Sequence, residues 1–409
     1  MTTGNKEEKG HTEQRQKRRL LVLTSTFPRW AGDTEPAFVL GLCRRLSDHF
    51  DVHVLAPHAA GATKQENMAG ITVHRFQYAP KHRQVLAYEG GIIAQLRQNR
   101  WRLWLIPLFL VAEAKAIRQL LKQYHFAAIH SHWIIPQTLA LRLAIIGMRH
   151  PPPILCTSHG GDLFGLQGLM MRALKRWSLA RCGAMTVVSR AMQPEAERLA
   201  PHLTPQVIPM GTCLARQFTP QADTTRDPGL VLFVGRLVEK KGVRHLLDAV
   251  AKLTATHPQT RLWIVGKGPD EATLHARAQQ PDLAGHVRFL GALSHADLPV
   301  LYRQAGVAVV PSVVAEGGDQ EGFGLVIVEA MGCGCPVIAS DLPAIKDIFQ
   351  DQAIALRVPP ADVEALADAL HQILSHPAEA QARAEKARNH VLERFDWTSI
   401  ANRYAELLL

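Results

Sequence analysis

Several things are missing from this sequence, and each absence excludes something. No stretch approaches the roughly 18 to 20 consecutive apolar residues that a membrane-spanning helix needs. The longest candidate, 103–112, is broken by Pro107. Residues 1–19 lack the apolar core of a secretory signal and read as a disordered, polar lead. Cysteine is scarce, six in 409 residues, and scattered at 43, 156, 182, 213, 333 and 335. That is no disulfide framework, and a reduced cytoplasm is the expected setting. Cys333 and Cys335 have no Cys or His partner at zinc spacing and read as small core residues. The nucleotide motifs G-x-x-x-x-G-K-[ST] and G-x-G-x-x-G are absent too, which weakens kinase and dehydrogenase readings. No reading-helix motif of a nucleic-acid binder is present, so no nucleic-acid partner is expected.

What is present describes a folded, two-domain protein. A chain of 409 residues exceeds what one hydrophobic core sustains, about 250 to 300 residues. An apolar fraction of 47% with 20% charged residues suits a globular chain. Charge is split unevenly: residues 1–215 carry 27 Lys and Arg against 13 Asp and Glu (+14), the remainder 19 against 23 (−4). A basic first half implies that an anionic partner is met through that half.

Short β-capable apolar runs at 20–26, 52–56, 71–76, 127–131, 154–158 and 184–188 alternate with helical patterns at 36–50, 92–124, 136–148 and 166–181. This is the β–α alternation of a parallel, doubly wound α/β sheet. The pattern restarts after the turn-rich stretch 201–228, with strands expected at 230–234, 262–265, 307–310 and 336–339. Helical segments follow at 362–375 and 378–395. The expected organisation is a first Rossmann-like domain over 20–210, a second over 211–395, and a last helix over 396–409 packing back on the first.

The chemistry concentrates in the second half. In Glu321-Gly-Phe-Gly-Leu-Val-Ile-Val-Glu329 a carboxylate and two glycines precede a short helix, and the second carboxylate falls about two turns further on. The glycines let backbone approach a ligand, and the helix start offers N–H groups to a phosphate. Carboxylates beside a diphosphate would repel it, so hydrogen bonds from hydroxyl groups suit them better, those of a ribose and a sugar. Cationic compensation comes from Val234-Gly-Arg-Leu-Val-Glu-Lys-Lys-Gly242, where Arg236 and Lys241 follow a strand.

The E-x7-E pair, the G-R-L-V-x-K-K-G loop and the V-G-x-G-P loop at 265–269 resemble glycosyltransferase family four. The likeness runs continuously over 230–341 and more loosely through 27–33 and 159–162. It implies a GT-B fold, two Rossmann-like domains facing a cleft, and a retaining, metal-independent transferase taking a UDP- or GDP-linked sugar. By the same resemblance Arg236 and Lys241 hold the diphosphate, Glu329 the ribose hydroxyls and Glu321 the transferred sugar. Phe323, Gly324 and Leu325 add backbone contacts, and His159 stands beside the donor sugar. Gly32 lies near the phosphates, and Asp33 and Asp162 are candidate acceptor residues. No cofactor or metal is implied. A front-side displacement, in which a donor phosphate oxygen draws the acceptor proton, is part of the same expectation.

The acceptor is expected to be a glycan or a lipid-linked molecule, as in polysaccharide or envelope synthesis. The region 92–124 mixes Trp101, Trp104, Leu105, Leu108 and Phe109 with Arg97, Arg100, Arg102, Lys115, Arg118 and Lys122. That composition suits peripheral contact with an anionic membrane, although a Rossmann helix packing on its sheet also needs an apolar stripe. His130, His132 and His159 lie at strand ends and are expected to line the cleft or pack rather than hold a metal. The same fold and motif also serve sugar-phosphate synthases. A non-catalytic nucleotide-sugar sensor or a basic nucleic-acid-binding protein is the alternative of another class.

Overall fold

A computed structural model describes residues 17–409 except 34, 89, 90, 222 and 350. Most of the expected polar lead therefore lies outside the described residues. The first domain is an eight-stranded sheet. Its strands are β1 (Arg18–Leu23), β2 (Phe50–Pro57), β3 (Gln65–Met68), β4 (Ile71–Phe76), β5 (Ala128–His132), β6 (Ile154–Ser158), β7 (Ala184–Val187) and β8 (Gln206–Val207). Their spatial order is β3-β4-β2-β1-β5-β6-β7-β8. Only β3 runs antiparallel, along β4. In the ladder, Leu20 faces Val52 on one side and Ala128 on the other. Leu20 to Leu23 are wholly buried, as a strand covered by helices on both faces requires. The strand begins two residues before its apolar run, where Arg18 and Arg19 pair with Phe50 and Asp51 of β2 and the Arg19 side chain reaches Asp51 at 3.2 Å.

The second sheet contains β9 (Asp227–Val234), β10 (Arg261–Val265), β11 (Val287–Gly291), β12 (Ala305–Val310), β13 (Val337–Ser340) and β14 (Leu356–Val358). The order β11-β10-β9-β12-β13-β14, parallel throughout, reverses direction between β9 and β12. Such a switch point leaves a crevice outside the carboxyl ends of the strands, where α/β sheets bind ligands. Both domains are thus doubly wound, the α/β architecture that the alternation implied.

The helical region 92–124 is not one helix. It divides into Gly91–Gln98, a 3-10 turn over Arg100–Trp104 and a long helix Leu105–Gln123. Asn99 makes the break: its side chain accepts from the Trp101 N–H, capping the turn instead of continuing the helix. At the other end of the chain, helix Pro377–Phe395 ends at Asp396, whose carboxylate caps the last helix, Trp397–Leu408. That helix lies on the first domain. Tyr404 Oη donates to Ile208 O at 3.2 Å, Arg403 donates to Val207 O at 2.7 Å, and Trp397 packs against Gly41.

Candidate active site

The stretch leaving β12 in the second domain meets the loop leaving β6 in the first, and Arg236 after β9 approaches Gly91 of the first domain. The contact between the β6 and β12 loops is backbone to backbone. A Cβ on Gly322 would stand 2.3 Å from the His159 carbonyl oxygen, and one on Gly160 would stand 2.9 Å from the Gly322 Cα. Only glycine at both positions lets the two domains touch there. The contact brings His159 beside Glu321, though 162 residues separate them.

Glu321 is bound to Lys241 by an ion pair in which both side chains are largely covered. Burial alone would raise the Glu321 carboxyl, but the charges of Lys241 and Lys240 and the Lys241 hydrogen bond outweigh it, holding the group down to about 2. Lys240 itself reaches Asp319 at 2.9 Å, so the two lysines fasten the loop after β9 to the stretch before Glu321. Gly324, at φ +95°, takes the left-handed conformation and starts helix Leu325–Gly332, with Phe323 buried against Phe395. The helix start therefore opens beside the Lys241–Glu321 pair, where its free N–H groups suit an anion. Arg236 comes from the same loop as Lys241 and faces the first domain: a Cβ on Gly91 would sit 3.6 Å from its Nη1.

Glu329 lies further along this helix on its buried side. His295 Nε2 is 2.7 Å from one of its oxygens and Tyr302 Oη 3.4 Å from the other. Burial opposes a charge on His295, yet the Glu329 charge and hydrogen bond prevail and raise the imidazole above its ordinary value. Neither His295 nor Tyr302 stands out in sequence; each is one of many polar residues in its segment.

On the first-domain side, His159 Nε2 is 2.9 Å from His132 Nδ1, and Trp133 and Phe38 flank the His159 ring at 4.7 and 5.2 Å. Burial lowers His159 to about 3 and, together with neighbouring imidazoles, holds His132 well below its usual range. Asp162 is buried within its own loop. Its oxygens accept from Ser158 Oγ at 2.8 Å, the Ile134 N–H at 2.7 Å and the His159 N–H at 3.3 Å. Asp33 is likewise engaged, by the Arg29 guanidinium at 2.8 and 2.9 Å. Gly32 is exposed at φ +81° with open space where a side chain would be. Asp162 thus serves the backbone that presents His159, whereas Asp33 shapes the loop that carries Gly32. Among the described residues no group of three or more His, Cys, Asp or Glu is arranged to hold a metal ion.

Comparison with known proteins bears on the family and the fold. Residues 37–216 match the family model described as Glycosyltransferase Family 4, and 216–390 the model described as Glycosyl transferases group 1. A phosphatidyl-myo-inositol mannosyltransferase of Mycobacterium leprae is 32% identical over 301 residues, 72% of this chain and 76% of that protein. A glycogen synthase of Mycobacterium tuberculosis is 32% identical over 253 residues, and the match spans only 60% of that relative's length. Among solved structures, a sucrose-phosphate synthase from Thermosynechococcus elongatus superposes with a TM-score of 0.78 at 24% identity, over 96% of this chain and 98% of that one. Anabaena HepE in complex with UDP-glucose gives 0.71 at 21% identity, over 96% and 99%. These two likenesses concern the fold, which is GT-B.

Proposed function

The chain belongs to glycosyltransferase family 4, and from that premise we propose that it is a retaining glycosyltransferase. It moves a hexose from a UDP- or GDP-linked donor to a glycan or lipid-linked acceptor, without a metal. The observation that carries this reading is the largely covered Lys241–Glu321 pair at the start of helix Leu325–Gly332, against the first domain's His159-Gly160. Lys241, Arg236 and the helix start form a cationic cradle of the kind that stabilises a departing diphosphate in place of a metal ion. When the diphosphate takes up Lys241, Glu321 is released to accept a hydrogen bond from a sugar hydroxyl. Glu329, kept in place by His295 and Tyr302, would accept from the ribose.

Transfer then proceeds on one face of the sugar. The anomeric C–O bond to the diphosphate breaks as the acceptor oxygen bonds to the same carbon, and the acceptor proton passes to a departing phosphate oxygen. Charge on the leaving group is the main electrostatic demand, which the cradle meets.

The finer partner is a lipid-linked acceptor at an anionic membrane surface. Trp101 and Trp104 are 79% and 74% exposed, whereas Phe109 on the same segment is buried, so the apolar stripe serves both core and surface. Leu169 and Met170 are also exposed, at 87% and 76%. Both segments touch helix Gly91–Gln98: Arg102 donates to Gln95 O at 3.2 Å, and a Cβ on Gly165 would stand 3.9 Å from Ile93. Arg100, Lys115 and Arg172, on the same segments, are exposed and positively charged. No described helix is long and apolar enough to cross a membrane, so contact would be interfacial.

Thermal-shift screening with UDP- and GDP-sugars tests the donor, since a ligand bound only by the folded state raises the melting temperature. Product NMR then reads anomeric retention. Inverted product, or no stabilisation by any nucleotide sugar, would reject the reading.

A further inference from the structure

His132 is the residue that holds His159. It is wholly buried at the end of β5, and its neighbour Trp133 sits at φ +74°, a conformation rare for a bulky residue and tolerated where the surroundings enforce it. Behind it the His130 ring lies 4.2 Å away, itself tied to Thr157 Oγ1 at 2.8 Å. His132 Nδ1 meets His159 Nε2 at 2.9 Å, and among the described residues no protein group reaches His132 Nε2.

One proton is shared between two imidazoles that their surroundings keep neutral. If His159 Nε2–H donated to His132, the proton of His132 would sit on Nε2 as a buried N–H with no protein acceptor. If His132 Nδ1–H donates to His159, only a lone pair is left there, the less costly of the two outcomes. The proton of neutral His159 is then on Nδ1. Resting on the sugar-transfer reading, we infer that His132 is a positioning residue that fixes His159 as the Nδ1–H tautomer, so that the ring offers a hydrogen-bond donor to a hydroxyl of the donor sugar. Trp133 and Phe38 hold the ring plane, and the Gly160–Gly322 contact sets its distance from the donor loop.

The test combines two variants and a spectrum. His132→Asn keeps an N–H group where Nδ1 stands, and His132→Leu removes it. Expected for His132→Leu is a tenfold or greater loss in kcat with UDP-glucose or GDP-mannose, whichever the wild type uses. Affinity for the free nucleoside diphosphate should stay within threefold, and His132→Asn should restore at least half of the rate. Wild-type kcat in His132→Leu, or a folded His132→Asn no better than it, overturns the assignment. In full-length protein with 15N-labelled histidine, the long-range 15N–1H spectrum should show His159 protonated on Nδ1; protonation on Nε2 overturns it directly. The spectrum needs no substrate. A wild type inert toward every nucleotide sugar would therefore refute the transfer reading while the tautomer is decided by the spectrum alone.

Discussion

Replacing Gly322 by alanine adds one methyl group at a point where the two domains touch backbone to backbone. That methyl would stand 2.3 Å from the His159 carbonyl oxygen and 3.1 Å from its carbon, where ordinary contact begins at 3.4 Å. The partners are backbone atoms of the other domain and cannot swing aside as a side chain would. The loops must therefore part by about 1 Å, carrying His159 away from Glu321. Misplacement of this size costs about 100-fold in rate, or about 2.7 kcal/mol of transition-state stabilisation. Gly322 is not in a left-handed conformation, so the effect would come from the clash. The assay is kcat/KM for sugar transfer alongside binding of the free nucleoside diphosphate and the melting temperature. Expected are a loss of about 100-fold in kcat/KM and nucleotide affinity within threefold of wild type, because the cationic cradle lies in the second domain. Gly161→Ala, with open space at its Cβ position, is the control and should change little. A Gly322→Ala enzyme working within threefold of wild type would refute the idea that this contact aligns the site.

Three further outcomes follow. Glu321 titrates in the fold at about 2, below its ordinary 4.5, so its pairing stabilises the protein fully above about pH 4.5 and less as pH falls toward 2. Lys241→Met, which keeps the Lys240 charge, should therefore cost up to about 3 kcal/mol at pH 7 and roughly half as much at pH 3, read by urea unfolding; a pH-independent cost would contradict the pairing. Trp101→Ala with Trp104→Ala should weaken sedimentation with vesicles containing phosphatidylglycerol at least tenfold while leaving the melting temperature unchanged, whereas undiminished binding would remove the membrane surface. Dialysis against EDTA should leave transfer intact, and activity lost to chelation and restored by Mg²⁺ or Zn²⁺ would contradict the metal-free cradle.

How much of this was legible in the sequence depends on how far apart the interacting residues lie. Runs such as Leu20 to Leu23 announce buried parallel strands because a strand covered on both faces must be apolar throughout. Strand β3, Gln-Glu-Asn-Met, gives no such signal, since an antiparallel edge strand has one side in water. The helix break at Asn99 was hidden inside an amphipathic stripe that continues across it. In the site, Arg236, Lys241 and Glu321 are readable because charge and glycine cluster within short loops. The His295–Glu329 bond spans 34 residues and the Gly160–Gly322 contact 162, and no local pattern encodes either. Asp162 shows the converse: an acid at a strand end looks available to a ligand, and only the fold reveals Ser158 and the Ile134 N–H already on its oxygens.

Calorimetric titration of the preferred nucleotide sugar into wild type and Lys241→Ala tests the cationic cradle most directly. Loss of one charge-assisted contact to a diphosphate, about 1.5 to 3 kcal/mol, predicts saturable one-to-one binding that Lys241→Ala weakens about 10- to 100-fold. Equal affinity in the two proteins, or no binding to the wild type, would contradict it.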